Sequence, residues 1–308
     1  EGDGRRFYTD GRHVHEFLKE LTHDTGIDAM ITVGEMSSTT LENCIRYSNP
    51  AEKELSMVFS FHHLKIDYKD GAKWALQEPD IGALKKLFAI WQEGMAAGAG
   101  WNAVFWCNHD QPRIVSRLGD DGAYWKASAK MLAACTHFMR GTPYIYQGEE
   151  LGMTNAGYTD IAQYEDVESL NYYEILLAAG KSKEEALHIL SVRSRDNSRT
   201  PMQWSAAENA GFTSGTPWLA LPANFTMINA AAERMDPDSI FRFYQTLIRL
   251  RKEMSIIQRG DIFFLERENA SIIAYERAYA EQKLRVYCNF RAANVPLMED
   301  SLDALTEA

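Results

Sequence analysis

Cysteine is scarce and scattered. Cys44, Cys107, Cys135 and Cys288 are the only four in 308 residues. They form no CxxC pair and no Cys/His cluster, which removes the usual zinc signatures and any dense disulfide framework. Buried reduced thiols, as in a cytosolic protein, are the favoured reading. Long hydrophobic runs are also missing. Charges break every apolar stretch well short of the ~20 residues that a membrane span needs. Excess positive charge is missing too: 43 Asp and Glu face 32 Lys and Arg, a net charge of −11. With no basic stripe, a nucleic-acid partner is not expected. A small anionic ligand needs only a few local cations and stays open. The opening Glu1–Gly2–Asp3–Gly4–Arg5–Arg6 is polar and has no apolar signal segment. A cytoplasmic location is expected, with no membrane partner, no cofactor and no metal. The chain shows no repeat, low-complexity run or flexible linker.

What is present is an ordinary globular balance, 45% hydrophobic and 24% charged, in a chain long enough for one or two domains. Short apolar runs that end in polar groups stand out. Ala103–Val104–Phe105–Trp106 stops at Asn108–His109–Asp110–Gln111–Pro112–Arg113. Ala29–Met30–Ile31–Thr32–Val33 stops at Gly34–Glu35. Met57–Val58–Phe59–Ser60–Phe61 ends in His62–His63, and Thr142–Pro143–Tyr144–Ile145–Tyr146 ends in Gln147–Gly148. Runs this apolar read as strands buried on both faces. Helical spacing separates them over 14–21, 39–47 with Thr40 as N-cap, 80–95 and 127–139. Alternating strand and helix at this size favours an α/β barrel, whose strand ends present functional groups at the C-terminal face. Two strand-end acids suggest paired-carboxylate chemistry.

Further along, 151–180 reads as an irregular insertion with helical patches, 182–190 as a short helix, 194–218 as turn-rich and 238–251 as a helix. After Gly260 three alternating strands (261–264, 271–275 and 284–288) predict an all-β unit, ending in an acidic, weakly structured tail from Met298. Four parallel strands are half of what closes a barrel. The expected architecture is therefore the C-terminal half of a (β/α)8 TIM barrel over 1–258 and a partial β-sandwich domain over 259–308.

Four longer motifs occur in order: Val33–Gly34–Glu35–Met36, Asn108–His109–Asp110–Gln111–Pro112–Arg113, the run from Gly141 to Glu150, and the run from Arg195 to Trp204. Together they resemble the α-amylase superfamily, glycoside hydrolase family thirteen, in its oligo-1,6-glucosidase branch. The runs Asp3 to Gly11, Gly34 to Thr40 and Phe61 to Tyr68 most resemble members of that branch that cleave trehalose 6-phosphate. The resemblance implies a retaining α-glucosidase releasing glucose and glucose 6-phosphate. Alternatives are an α-1,6-glucosidase acting on isomaltose-type or dextran ends, and a catalytically silent sugar-binding chain. Glu35 would be the general acid and then the base, and Asp110 would steady the oxocarbenium-like transition state. Partial burial among other carboxylates is what would keep Glu35 protonated. The family's nucleophile motif, a Gly-Phe/Leu-Arg-Met/Leu-Asp strand end, occurs nowhere in the chain; Asp3 and Asp10 fall in the loop that follows it. This chain by itself is expected to be inactive.

The substrate-side residues carry two readings each. By the resemblance, His109 and Arg195 hold the non-reducing glucose and Glu168 lines the leaving-sugar side. The ordinary alternatives are a solvated loop and surface ion pairs. Lys65 and Lys73 are either phosphate-binding cations or surface lysines. His63 is placed in the leaving-sugar pocket; a His62–His63 metal pair is disfavoured because neighbours on an extended segment point opposite ways. Arg113 either lines the pocket or anchors its loop. Trp204, Phe212 and Trp218 read as core or pocket walls. Glu149 and Glu150 either pair with an arginine or touch sugar.

Overall fold

The structure, a computed structural model, describes residues 4–297. Asp3 and the acidic tail from Met298 lie outside the described residues.

Four strands form a parallel sheet in sequential order: β1 (Val33–Met36), β2 (Met57–Ser60), β3 (Asn102–Val104) and β4 (Thr142–Pro143). The register aligns their C-terminal ends, with Glu35 beside Phe59, Phe59 beside Ala103, and Val104 beside Pro143. Helices α1 (Val14–Thr25), α2 (Leu41–Ser48), α3 (Ile81–Ala97) and α4 (Trp125–His137) flank or connect these strands. Their start signals are local. Thr40 accepts from the Asn43 backbone N–H at 3.2 Å, and Asp80 accepts from that of Ala83 at 2.9 Å.

The first strand lies later than its apolar run predicts. Met30 and Ile31 are exposed, and the ladder begins only at Val33. Among the described residues, β2 is the one strand that pairs with β1. The approach to β1 is held by side chains. The backbone N–H of Thr32 donates to Ser56 Oγ at 3.1 Å, and that of Ser56 to Thr32 Oγ1 at 2.9 Å. Gly34 permits the close packing that follows: a Cβ there would stand 2.6 Å from Leu55 Cδ1.

Beyond β4 the insertion is more ordered than its sequence predicts. It contains α5 (Val167–Ala178), capped by Asp166, then α6 (Lys183–Arg193), opened by a Ser182/Glu185 capping box. A single helical turn follows at Asp196–Arg199, and α7 (Ile240–Glu253) closes the α/β part. Trp204, Phe212 and Trp218 are exposed rather than core; in this irregular stretch Ala210 and Leu219 fill the buried positions instead.

The last strands, β5 (Asp261–Leu265), β6 (Ile272–Tyr279) and β7 (Gln282–Asn289), form an antiparallel sheet. It shares one hydrophobic core with the α/β part: Leu84, Phe88 and Leu132 pack with Ile262, Ile273 and Tyr275. Buried Arg277 donates to the carbonyls of Gly260 and Phe138, both at 2.6 Å. The proposed division at 258/259 therefore follows the chain path and does not separate two cores. All four cysteines are free and buried. Among the described residues, no helix is long and apolar enough to cross a membrane, and no cluster of His, Cys, Asp or Glu is arranged to hold a metal ion.

Candidate active site

The aligned strand ends line one cleft of about 230 Å³. Glu35 comes from β1, Phe59 from β2 and Phe61 from just after it, His109 from the loop after β3, and Tyr144 and Tyr146 from the segment after β4. Phe59 stands edge-on to Phe105 and to Tyr144, with centroids 5.1 and 4.6 Å apart, giving the cleft an aromatic floor. Glu35 is exposed at its rim, so the partial burial anticipated for it is not found here.

Asp110 is held by a short turn and two arginines. Its backbone N–H donates to Asn108 Oδ1 at 2.8 Å. Arg199 Nη2 donates to Asp110 Oδ1 at 2.7 Å, and Arg195 Nη1 reaches the same oxygen at 3.4 Å. Arg199 Nε also donates to the His109 carbonyl at 2.8 Å. Both arginines are gripped from behind by buried Asp166, at 3.2 Å from Arg195 Nη2 and 3.7 Å from Arg199 Nη1. Arg195 Nη2 then meets Glu168 at 3.1 Å, and Glu168 meets Lys73 at 2.6 Å. One ion-pair chain thus runs from Asp110 to Lys73. Acids and bases alternate along it, so each carboxylate is hydrogen-bonded to at least one cationic side chain.

Arg199 and Asp166 were not singled out from sequence, although signals for both exist. Arg199 follows Arg195 by one helical turn, so both side chains leave the same face. Asp166 opens Asp-Val-Glu-Ser, the composition of a helix N-cap, and accepts from the Ser169 N–H at 3.3 Å.

Three anticipated site residues lie elsewhere. His63 is buried among Phe105, Phe88 and Trp106, not in the sugar cleft. His62–Lys65 is a single helical turn rather than an extended segment, so both imidazoles face α3, His62 against Trp91 and His63 against Phe88. Burial drives the His63 imidazole down to about 3, which keeps it neutral. Arg113 is fully buried and anchors loops. It donates to the carbonyls of Gln147, Asn197 and Ser198, and its guanidinium lies 5.5 Å from the Tyr146 ring. Gly148, at φ 94°, makes room for it; a Cβ there would meet Arg113 Nη1 at 2.8 Å. Lys65 is exposed and outside the ion-pair chain. Among the described residues, Glu149 makes no ion pair with an arginine. Burial pushes its carboxyl up to about 8, against backbone donors at Tyr146 and Cys107. Glu150 accepts from the Gly148 N–H at 2.8 Å. Asp10 ties the N-terminal loop down, accepting from Tyr47 at 2.7 Å and Thr39 at 2.8 Å.

Four consecutive parallel strands, an acid at the end of the first and a His-Asp pair after the third agree with one family pattern. Residues 1–260 match the description "Alpha amylase, catalytic domain". The chain belongs to the α-amylase family. Within it, the chain is 56% identical over 292 residues to the trehalose-6-phosphate hydrolase of Bacillus subtilis, covering 94% of this chain and 52% of that protein. It is 43% identical over 294 residues to a probable oligo-1,6-glucosidase 2 of the same organism, with the same two coverages. The crystal structure of the Bacillus licheniformis trehalose-6-phosphate hydrolase superimposes with a TM-score of 0.92 at 58% identity, covering 94% of this chain and 52% of that one. This α-amylase-family chain thus spans about half the length of the curated relatives it matches.

Proposed function

We propose that this chain carries the acid/base and charge-stabilising half of a retaining α-glucosidase for trehalose 6-phosphate. The observation that carries the reading is the convergence of Glu35 and His109 on one cleft, with Asp110, next to His109 in the chain, clamped by Arg195 and Arg199. Glu35, open to the cleft, protonates the glycosidic oxygen as the bond breaks and then takes a proton from the attacking water. Asp110, held in place by two guanidiniums, binds sugar hydroxyls and balances the positive charge of the transition state. Arg195 and His109 orient the non-reducing glucose. Glu168 and Lys73 stand on the leaving-sugar side. Lys65 and Arg113 are reassigned to solvent and to loop anchoring, and His63 to the core. The covalent step needs a nucleophilic carboxylate that none of these residues supplies. Cytoplasmic action on a small phosphorylated disaccharide, with no nucleic-acid or membrane partner, completes the reading.

The likeness to trehalose-6-phosphate hydrolases supports the phosphorylated substrate. A second reading, an α-1,6-glucosidase, draws support from Lys73: it is already paired with Glu168, as a neutral leaving sugar would allow. A chimera tests both, with this chain replacing the matched segment of the Bacillus subtilis relative. Under the first reading the chimera cleaves trehalose 6-phosphate far faster than isomaltose, and the unfused chain cleaves neither. Faster cleavage of isomaltose would overturn it.

A further inference from the structure

The ion-pair chain behind Asp110 is electrically closed. Asp110, Asp166 and Glu168 set three negative charges against Lys73, Arg195 and Arg199. Glu168 is its open end on the leaving-sugar side: its side chain is 33% exposed, against 3% for Asp166. A single oxygen, Glu168 Oε2, lies 2.6 Å from Lys73 Nζ and 3.1 Å from Arg195 Nη2. One carboxylate oxygen therefore occupies the point where two cations converge. A phosphate oxygen placed there would make the same charge-assisted contacts with more charge. It would also face the Glu168 carboxylate as a like charge at close range.

We infer that Glu168 is a resident anion that competes with the phosphate of a leaving sugar for Lys73. Phosphate enters by exchange: Lys73 leaves the Glu168 carboxylate and pairs with the incoming oxyanion. Glu168 then turns to the sugar hydroxyls. This rests on the trehalose 6-phosphate reading and deepens it, making Glu168 the residue that sets the balance between charged and neutral leaving groups.

The exchange requires Lys73 to swing while its loop stays in place, and the packing provides for that. The neighbouring Trp74 is buried and stacks on Tyr172, with centroids 4.8 Å apart and planes 19° from parallel. Tyr172 follows Glu168 by one turn of α5, so the loop is clipped to the helix at two adjacent rungs. Releasing the Lys73–Glu168 rung leaves the Trp74–Tyr172 rung intact. The Lys73 ammonium also lies 4.8 Å from the Trp74 ring, which offers it a resting place during the exchange.

The test titrates the purified chain with inorganic phosphate, and separately with glucose, by calorimetry at low ionic strength. Wild type is compared with Glu168→Gln, Glu168→Ala and the Lys73→Ala/Glu168→Gln double variant. Both single variants are expected to bind phosphate on the order of tenfold more tightly than wild type, and the double variant to lose that gain. Glucose binding should not tighten in any of them. Phosphate affinity that stays level or falls in both single variants overturns the inference. So does a gain that survives without Lys73. A chimera indifferent to substrate phosphate would sink the trehalose 6-phosphate reading while leaving this exchange standing. Selectivity for trehalose 6-phosphate without a phosphate gain in the variants would do the reverse.

Discussion

Asp67→Asn should destabilise the protein more than any conservative change in the cleft. Asp67 is the only acid in a buried three-residue node, its side chain 4% exposed beside Arg117 at 3% and Arg193 at 2%. Arg117 grips it with two bonds, Nε to Oδ2 at 2.8 Å and Nη2 to Oδ1 at 2.6 Å. Arg193 donates to Oδ2 and to the Asp67 carbonyl. The Tyr68 ring lies against both guanidiniums, at 5.7 and 5.2 Å. Asparagine keeps the shape and one acceptor but leaves two buried cations without a counter-charge. Breaking such a node costs about 3–5 kcal/mol, a large share of the ~5–15 kcal/mol that holds a domain together. A fall in thermal midpoint on the order of 10 °C follows.

The node also predicts the pH dependence. Burial pushes the Asp67 carboxyl up, but Arg117 and Arg193 together outweigh it and hold the group below its ordinary value. A carboxyl depressed in the folded state contributes stability that is present above its unfolded pKa of about 3.9 and is lost as pH falls through the folded value. The assay is urea unfolding of wild type and Asp67→Asn between pH 3 and 7. The variant should lose most at neutral pH and show a shallower acid limb. A neutral-pH loss under about 1 kcal/mol would refute the reasoning, since exposed pairs are worth no more.

Other outcomes follow from the same geometry. Glu149, raised to about 8 by burial, stays protonated in the folded protein after its unfolded form has ionised; stability should therefore fall as pH rises from about 4.5 to 8, and Glu149→Gln should flatten that fall in thermal midpoints. Arg199→Ala in the chimera should lower kcat about a hundredfold while KM for a neutral aryl glucoside changes little, because Asp110 loses its shortest cationic contact and keeps the longer ones to Arg195 and His109; an equal effect on KM alone would contradict a role in the transition state. Lys73→Ala should weaken turnover of trehalose 6-phosphate far more than that of an aryl α-glucoside, read as the ratio of kcat/KM values.

Much of this organisation is legible in the sequence, for physical reasons. Parallel strands buried on both faces must be apolar throughout, so β2 and β3 announce themselves, and Asn108–His109–Asp110 marks the end of one of them. Caps are local chemistry, and Thr40 and Ser182 start their helices by the bonds their side chains make. What sequence hid depends on long-range partners. Arg113 looks like a loop cation until three carbonyls from 147–198 close around it. His63 looks like a strand-end ligand until a tight turn folds it onto α3. Asp166 reads locally as a helix N-cap, and its grip on the site comes from two arginines about thirty residues downstream. Ile31 shows the opposite failure: its pattern says strand, but on the β1 side no described strand pairs with it.

The central claim is that Glu35 and Asp110 serve one glycosidic centre that this chain does not complete alone. The most direct measurement is glucose 6-phosphate release from trehalose 6-phosphate by the unfused chain, by the chimera, and by the chimera carrying Glu35→Gln. The account predicts no release from the chain, release from the chimera, and a loss on the order of a thousandfold with Glu35→Gln. That loss should shrink sharply for an aryl glucoside whose leaving group needs no proton. Release by the unfused chain, or a Glu35→Gln chimera as active as its parent, would contradict it.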